Sequence, residues 1–161
     1  MTSSLFPLFQ SIEASGIGQT IKTSPWAFPL IESVHLLALA VIGGAVLVVD
    51  LRMLGLGLRR QRIVEVARDA QPILVGSLIV MIVTGVGLFV SEAVKCYYST
   101  PFKVKMVCLV LAAIFTFTVK RQVALADEAR VQPLWFKLVA LVSLALWLGV
   151  GASGRWIGFS G

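Results

Sequence analysis

The chain has 161 residues, 58% of them hydrophobic and only 14% charged, with a net charge of +6. An ordinary soluble domain is about half apolar and about a quarter charged, so the composition excludes one and the length leaves no room for a second domain. The positive balance does not indicate nucleic acid, because lysine and arginine sit between apolar runs, as in the loops of membrane proteins that stay in the cytoplasm.

Residues 1–23 come first. Leu5, Phe6, Leu8, Phe9 and Ile12 recur at helical spacing with Gln10 and Glu13 between them. This predicts a short amphipathic helix lying in the membrane interface, followed by a flexible link at Gly16 to Gly18. The segment lacks the basic start, continuous apolar core and small-residue cleavage site of a signal peptide.

Four charge-free cores follow, at 36–49, 70–91, 106–119 and 138–154. Flanking side chains that reach the interface extend them to spans at about 26–57, 71–92, 101–124 and 134–157. Pro25 or Pro29, Pro72, Pro101 and Pro133 stand just before or at the first turn of a span, where the missing N–H has no helical partner anyway. Ser24-Pro25 and Thr100-Pro101 read as N-cap and first helical residue. The predicted fold is all-α: a four-transmembrane-helix bundle with a short interfacial N-terminal helix, one membrane domain over residues 1–161. Arg59, Arg60, Arg62 and Arg68 fall in the first loop, and Lys120, Arg121 and Arg130 in the third. Lys22, Lys95, Lys103, Lys105 and Arg155 lie on the other side. The bias predicts a multi-pass membrane protein with both termini outside the cytoplasm.

The first span carries the only histidine, His35, with Glu32 one turn before it. The uncharged stretch 36–49 gives about 21 Å of helix, against a hydrocarbon core about 30 Å thick. Glu32 and His35, or Asp50, are therefore drawn into or near the hydrocarbon. Ionisable groups at that depth line a cavity, a cofactor site or an ion path.

At 100° per residue each span has one face of small or polar residues. Glu32, Gly43 and Asp50 share a face of span one, with His35 about 60° away. Ser77, Thr84 and Ser91 follow a seven-residue spacing on span two, with Met81 and Leu88 between them. Lys105, Cys108, Ala112 and Thr116 form one stripe on span three; Ser143, Trp147, Gly154 and then Arg155 mark span four. These faces are expected to turn inward. Alternating span direction brings Glu32, His35, Glu92, Lys103, Lys105 and Arg155 to the same end of the bundle.

Three chemistries suit that cluster. His35 could be the axial ligand of a b-type haem, with Lys103, Lys105 and Arg155 on its propionates and Gly43 or Gly44 admitting the flat ring. The sixth ligand would be a second chain's His35, Met81, Met106 or nothing. Alternatively Glu32 and His35, at i and i+3, are a metal-ligand pair of the di-iron kind, completed by Glu92 in a two-fold dimer. Copper would use His35 with Met106, Cys96 or Cys108. In the third reading the cluster holds no cofactor and is a proton or cation path in a small transporter or channel subunit, or an inter-helix network in the anchor of a larger membrane complex. Gly43, Gly44, Gly85, Gly87, Gly149 and Gly151 leave room for helix contact, so a homo-oligomer, a dimer first, is expected.

Other features have plainer explanations. Gly149, Gly151 and Gly154 match a dinucleotide fingerprint only as text, with no strand before them. Trp26, Tyr97, Tyr98, Trp135 and Trp156 suit an interfacial aromatic belt. Cys96 and Cys108 read as free thiols. Asp50 and Arg52 read as a structural ion pair near the far end of span one.

The residues also carry a resemblance. Pro25-Trp26, Glu32-Ser33 with His35, and Asp50-Leu51-Arg52 with Leu54-Gly55 stand in the first span. Pro101-Phe102 with Lys105-Met106, and Gly154-Arg155-Trp156-Ile157-Gly158-Phe159, come later. Together they resemble a bacterial family of four-span inner-membrane proteins known only as a domain of unknown function, over nearly the whole chain. The layout is also similar, more faintly, to copper-resistance D type membrane proteins, which have a histidine early in an outer-side helix and are associated with copper handling or haem-like redox partners. This chain differs from them in length and in having one histidine. The first resemblance implies the four-span fold and directs interest to Glu32, His35, Asp50, Arg52, Lys105 and Arg155. Among the three chemistries, the leading expectation is a redox cofactor at His35, haem b ahead of copper or iron, for electron transfer or metal handling.

Overall fold

A computed structural model describes residues 6–58, 60–126 and 133–157. Leu5, Arg59, Arg130, Gly158 and Phe159, which entered the sequence reading, lie outside the described residues. Within them every regular element is helical. Four helices are long and apolar enough to cross a membrane: Ala27–Leu54, Ile63–Ser91, Thr100–Leu125 and Pro133–Trp156.

The N-terminal segment forms two short helices, α1 (Phe6–Glu13) and α2 (Gly16–Thr23). The expected flexible link at Gly16 to Gly18 is instead the first turn of α2, because Ser15 caps it by accepting the Gly18 amide at 3.3 Å. Gly18 is buried where α2 meets the chain around it. A Cβ there would stand 2.8 Å from the carbonyl oxygens of both Glu13 and Val90, so only glycine permits this approach.

Helix α3 (Ala27–Leu54) begins after Ser24, whose hydroxyl accepts the Ala27 amide at 3.2 Å. It ends at Gly55, whose φ of 74° supplies the left-handed turn that closes a helix C-terminus. Helix α4 (Ile63–Ser91) starts well before the expected position near residue 71. Glu65 folds back to accept the Arg62 amide at 3.3 Å, so the chain turns helical before its apolar run begins. Pro72 consequently lies inside α4, not in its first turn as expected.

A short helix α5 (Ala93–Tyr98) leads into α6 (Thr100–Phe115). Here Ser99, one residue before the expected Thr100, is the cap, and its hydroxyl accepts the Phe102 amide at 3.2 Å. A π-helical turn over Thr116–Lys120 interrupts this span before α7 (Arg121–Leu125) completes it. Helix α8 (Pro133–Ile157) is the last span.

Helix α3 packs against α4 and α8, and α6 packs against α8. Ala38, Ile42, Val46, Met81, Ala112 and Val150 fill the centre, each almost wholly buried. Leu36, Leu37, Val83, Val107 and Leu148 are more than half exposed on the outside, as lipid-facing side chains should be. At the end that carries α5, Phe9 meets Tyr97 and Phe89 edge-on, and Phe89 stacks on Phe102. Glu13 ties this layer down: its carboxylate binds Lys22 and accepts the Val94 amide at 2.8 Å.

Candidate functional site

Two polar groups of side chains sit between the spans, one in each half of the bundle. The first is built on His35, which α3 turns inward and leaves 6% exposed. Its Nδ1 lies 3.0 Å from the Thr84 hydroxyl of α4, and its Nε2 lies 3.2 Å from the Lys105 ammonium of α6. Donor bookkeeping assigns the ring's protons once Lys105 carries its charge. Thr84 donates its one hydrogen to the Val80 carbonyl at 2.7 Å, so it accepts at His35 and Nδ1 carries the N–H. An ammonium has donors only, so Nε2 accepts from Lys105. With Lys105 as an ammonium, the ring is the neutral Nδ1–H tautomer, and no carboxylate stands between the two nitrogens.

Glycine makes the space. A Cβ on Gly85 would come within 3.2 Å of His35 Cε1, and one on Gly154 within 3.7 Å of Lys105 Nζ. The ring therefore lies against Gly85 of α4, and the Lys105 side chain passes Gly154 of α8.

The second group is built on Asp50, fully buried near the opposite end of α3. Lys120 Nζ stands 2.8 Å from Asp50 Oδ1. Ser143 of α8 donates to Oδ2 at 2.8 Å, and Lys120 reaches Ser143 Oγ at 3.1 Å and the Val46 carbonyl at 3.4 Å. Charge is matched here, as burial demands, and Asp50 Oδ1 meets the ammonium as an ion pair without a hydrogen bond of normal geometry. Between the groups Trp147 donates its indole N–H to the Thr116 hydroxyl at 3.1 Å.

The expected cluster assembles only in part. His35 and Lys105 meet. Glu32 is exposed, because the buried face of α3 runs through His35, Ala38, Ile42, Val46, Val49 and Asp50, and Glu32 at this end lies off it. Glu92 pairs with Lys95 at 3.8 Å, one turn further on. Lys103 stands over the Tyr97 ring, 5.9 Å from its centre. Met106 is 42% exposed, Cys108 packs beside Gly149, and Arg155 is exposed. A Cβ on Gly43 would meet open space, so the glycine that approaches the imidazole is Gly85.

Asp50 does not pair with Arg52. Residues two apart on a helix do not face each other, and Arg52 instead donates Nε to the Gln61 carbonyl at 2.6 Å. The partner of Asp50 is Lys120, which its sequence position assigns to a loop and which is 4% exposed. A signal existed. Cys108, Ala112, Thr116, Lys120 and Ala124 follow one another at steps of four. Each such step drifts about 40° around an α-helix, so a stripe this long leaves the core unless the helix widens. The π turn takes up that drift and keeps Thr116, Lys120 and Ala124 inside.

Within one chain no cofactor arrangement is already assembled among the described residues. Among the described residues no three histidine, cysteine, aspartate or glutamate side chains converge to hold a metal ion. For haem, both imidazole nitrogens already have partners, and an iron at Nε2 would stand where the Lys105 ammonium is. The donor set as arranged does not fit that group. Outside the spans, Lys22 and then the Val94 amide hold the Glu13 carboxyl below its ordinary range. Burial first, and the Glu92 carboxylate second, push the Cys96 thiol up to about 11.

Fold and site together define a multi-pass helical membrane protein of four spans, with a buried imidazole beside a half-buried lysine in one half and a buried carboxylate–lysine pair in the other. More particularly, the chain belongs to a family of unknown function, DUF6644, whose model matches residues 8–160. No curated protein and no solved structure matches it.

Proposed function

We propose that the protein passes protons through its membrane, with His35 and Lys105 as the pair at which a proton is handed on. The 3.2 Å contact between two nitrogen bases carries this reading. An N–H···N bond has two arrangements, ammonium with neutral imidazole or amine with imidazolium, and both hold the same net charge. Transfer from Lys105 to Nε2 makes the imidazolium and leaves a neutral amine; the Nδ1 proton then passes to Thr84 as that hydroxyl turns from the Val80 carbonyl and gives its own hydrogen to water, and Lys105 takes up the next proton. Imidazole suits this use because it binds a proton at one nitrogen and releases one at the other. The depth of the pair in the span supports a functional role over a decorative one.

The arginine-rich first loop supports both termini facing the periplasm of a bacterial inner membrane. Gly43, Gly44 and Gly151, where an added Cβ meets open space, leave room for a second copy of the chain. A redox cofactor, haem b ahead of copper or iron, ranks second because Lys105 would first have to release Nε2.

The test uses purified protein in liposomes loaded with a pH-sensitive dye, driven by a potassium gradient and valinomycin. Wild-type flux should exceed that of protein-free vesicles at least about tenfold, one factor of ten being about 1.4 kcal/mol in barrier. His35→Gln and Lys105→Met should fall to the protein-free rate. Wild-type flux no faster than empty vesicles overturns the proposal. A Soret band in the same preparation, lost in His35→Ala, returns the site to haem.

A further inference from the structure

Helix α3 packs on α4 and α8, and α6 packs on α8, which leaves the side between α4 and the third span. There α7 meets α4, and beside that contact a half-open cleft runs between α4 and the π turn. From Ala67 to Leu74 it follows α4 for about 10 Å. Its wall is mostly apolar, with Ala67, Leu74 and Phe117 among the lining side chains. Of the polar ones, Thr116 already accepts from Trp147, and Lys120 pairs with Asp50. That leaves Gln71, half-buried, and Arg121, which is exposed and pairs with no acidic side chain among the described residues. The cleft encloses about 60 Å³, room for about five water-sized groups. A run of methylenes fits that space and a ring system does not.

We propose that the cleft binds an anionic phospholipid from the leaflet beside the arginine-rich loop. One acyl chain lies against Ala67, Leu74 and Phe117, and the headgroup phosphate rests on Arg121. Charge complementarity selects this occupant. A guanidinium presents a planar fork of donors that matches phosphate, and basic pockets between spans on that side of a bilayer take anionic headgroups. The Gln71 amide can add a further donor. The π turn that keeps Lys120 inside sets the next residue, Arg121, at the cleft. A chain lying there also keeps water from the Lys120 stem, and so from the pair that lysine makes with Asp50. The site uses neither His35 nor Lys105, so it stands apart from the proton-path reading.

The purified full-length protein in detergent is incubated with equal amounts of dioleoyl phosphatidylglycerol and dioleoyl phosphatidylcholine, and the lipid it retains is counted by native mass spectrometry. Wild type should hold phosphatidylglycerol about fivefold over phosphatidylcholine, whose choline offsets its phosphate, as one arginine near an anionic headgroup gives. Arg121→Gln should hold the two lipids equally. Ala67→Leu, which puts a larger side chain into the cleft, should hold less of both. Arg60→Gln, at an exposed arginine outside the cleft, should keep the wild-type preference. Equal retention of the two lipids by wild type overturns the site. So does a preference that survives Arg121→Gln, or one that falls as far in Arg60→Gln. If Ala67→Leu does not fold, the two arginine variants decide.

Discussion

Replacing Asp50 with Asn leaves the Lys120 ammonium buried, 4% exposed, beside a neutral amide. At 2.8 Å and an effective dielectric near 20, the lost attraction is about 6 kcal/mol. Part of that is returned, because the carboxylate's own desolvation cost disappears with it. What remains should be about 3–5 kcal/mol of lost stability, the range found when one member of a buried pair is removed. Lys120→Met should cost a similar amount, since it strands the fully buried carboxylate. The double variant should be no worse than either single one, because no uncompensated charge is left. Reversible unfolding of micelle-bound protein by sodium dodecyl sulfate, followed by circular dichroism, measures all four proteins. A coupling of at least about 3 kcal/mol is expected. Single effects that simply add, to within about 0.5 kcal/mol, would show that the two charges do not depend on each other and would refute the reasoning.

Three further outcomes follow from the other end of the bundle. Gly18→Ala puts a methyl group 2.8 Å from two carbonyl oxygens, so α2 must lift; amide hydrogen exchange of α1 and α2 should rise while that of α3 does not, at a cost of about 1–3 kcal/mol. Glu13 has a depressed carboxyl pKa, so its bonds to Lys22 and Val94 stabilise the fold above the ordinary carboxylate range and are lost as pH falls through and below it. Exchange of the Val94 amide should therefore increase on acidification, and Glu13→Gln should flatten that dependence. Cys96, with its thiol near 11, should react with iodoacetamide at neutral pH roughly a hundred times more slowly than a free thiol of pKa about 8.5, measured by mass spectrometry, and Glu92→Gln should speed it.

The four spans were legible because hydropathy and helix-start chemistry agree over most of them. Their inward faces were legible too: Thr84 with Met81, Cys108 with Ala112 and Thr116, and Ser143 with Trp147 all turn to the core. Glu32 escaped because helical spacing gives the angle between residues but not which angle faces a neighbour. His35 lies 60° from it and is buried. Lys120 escaped for a different reason. A lysine beside an arginine after an apolar run reads as a loop, and only a departure from 3.6 residues per turn keeps it inside. The start of α4 was missed because Arg68 and Asp69 interrupt the apolar pattern but not the helix.

Along α3, His35 and Asp50 are separated by about 22 Å of helix, filled on the inward face by Ala38, Ile42, Ala45, Val46 and Val49. A low-dielectric layer of that kind is where a membrane potential is dropped. Rearrangements confined to either charged group would move little charge through the field and would be nearly insensitive to voltage. Any elementary charge that crosses the layer would exchange about 2.3 kcal/mol with the field for every 100 mV. The voltage dependence of the proposed proton flux therefore reports which step takes charge past Ile42, independently of any chemistry at the two ends.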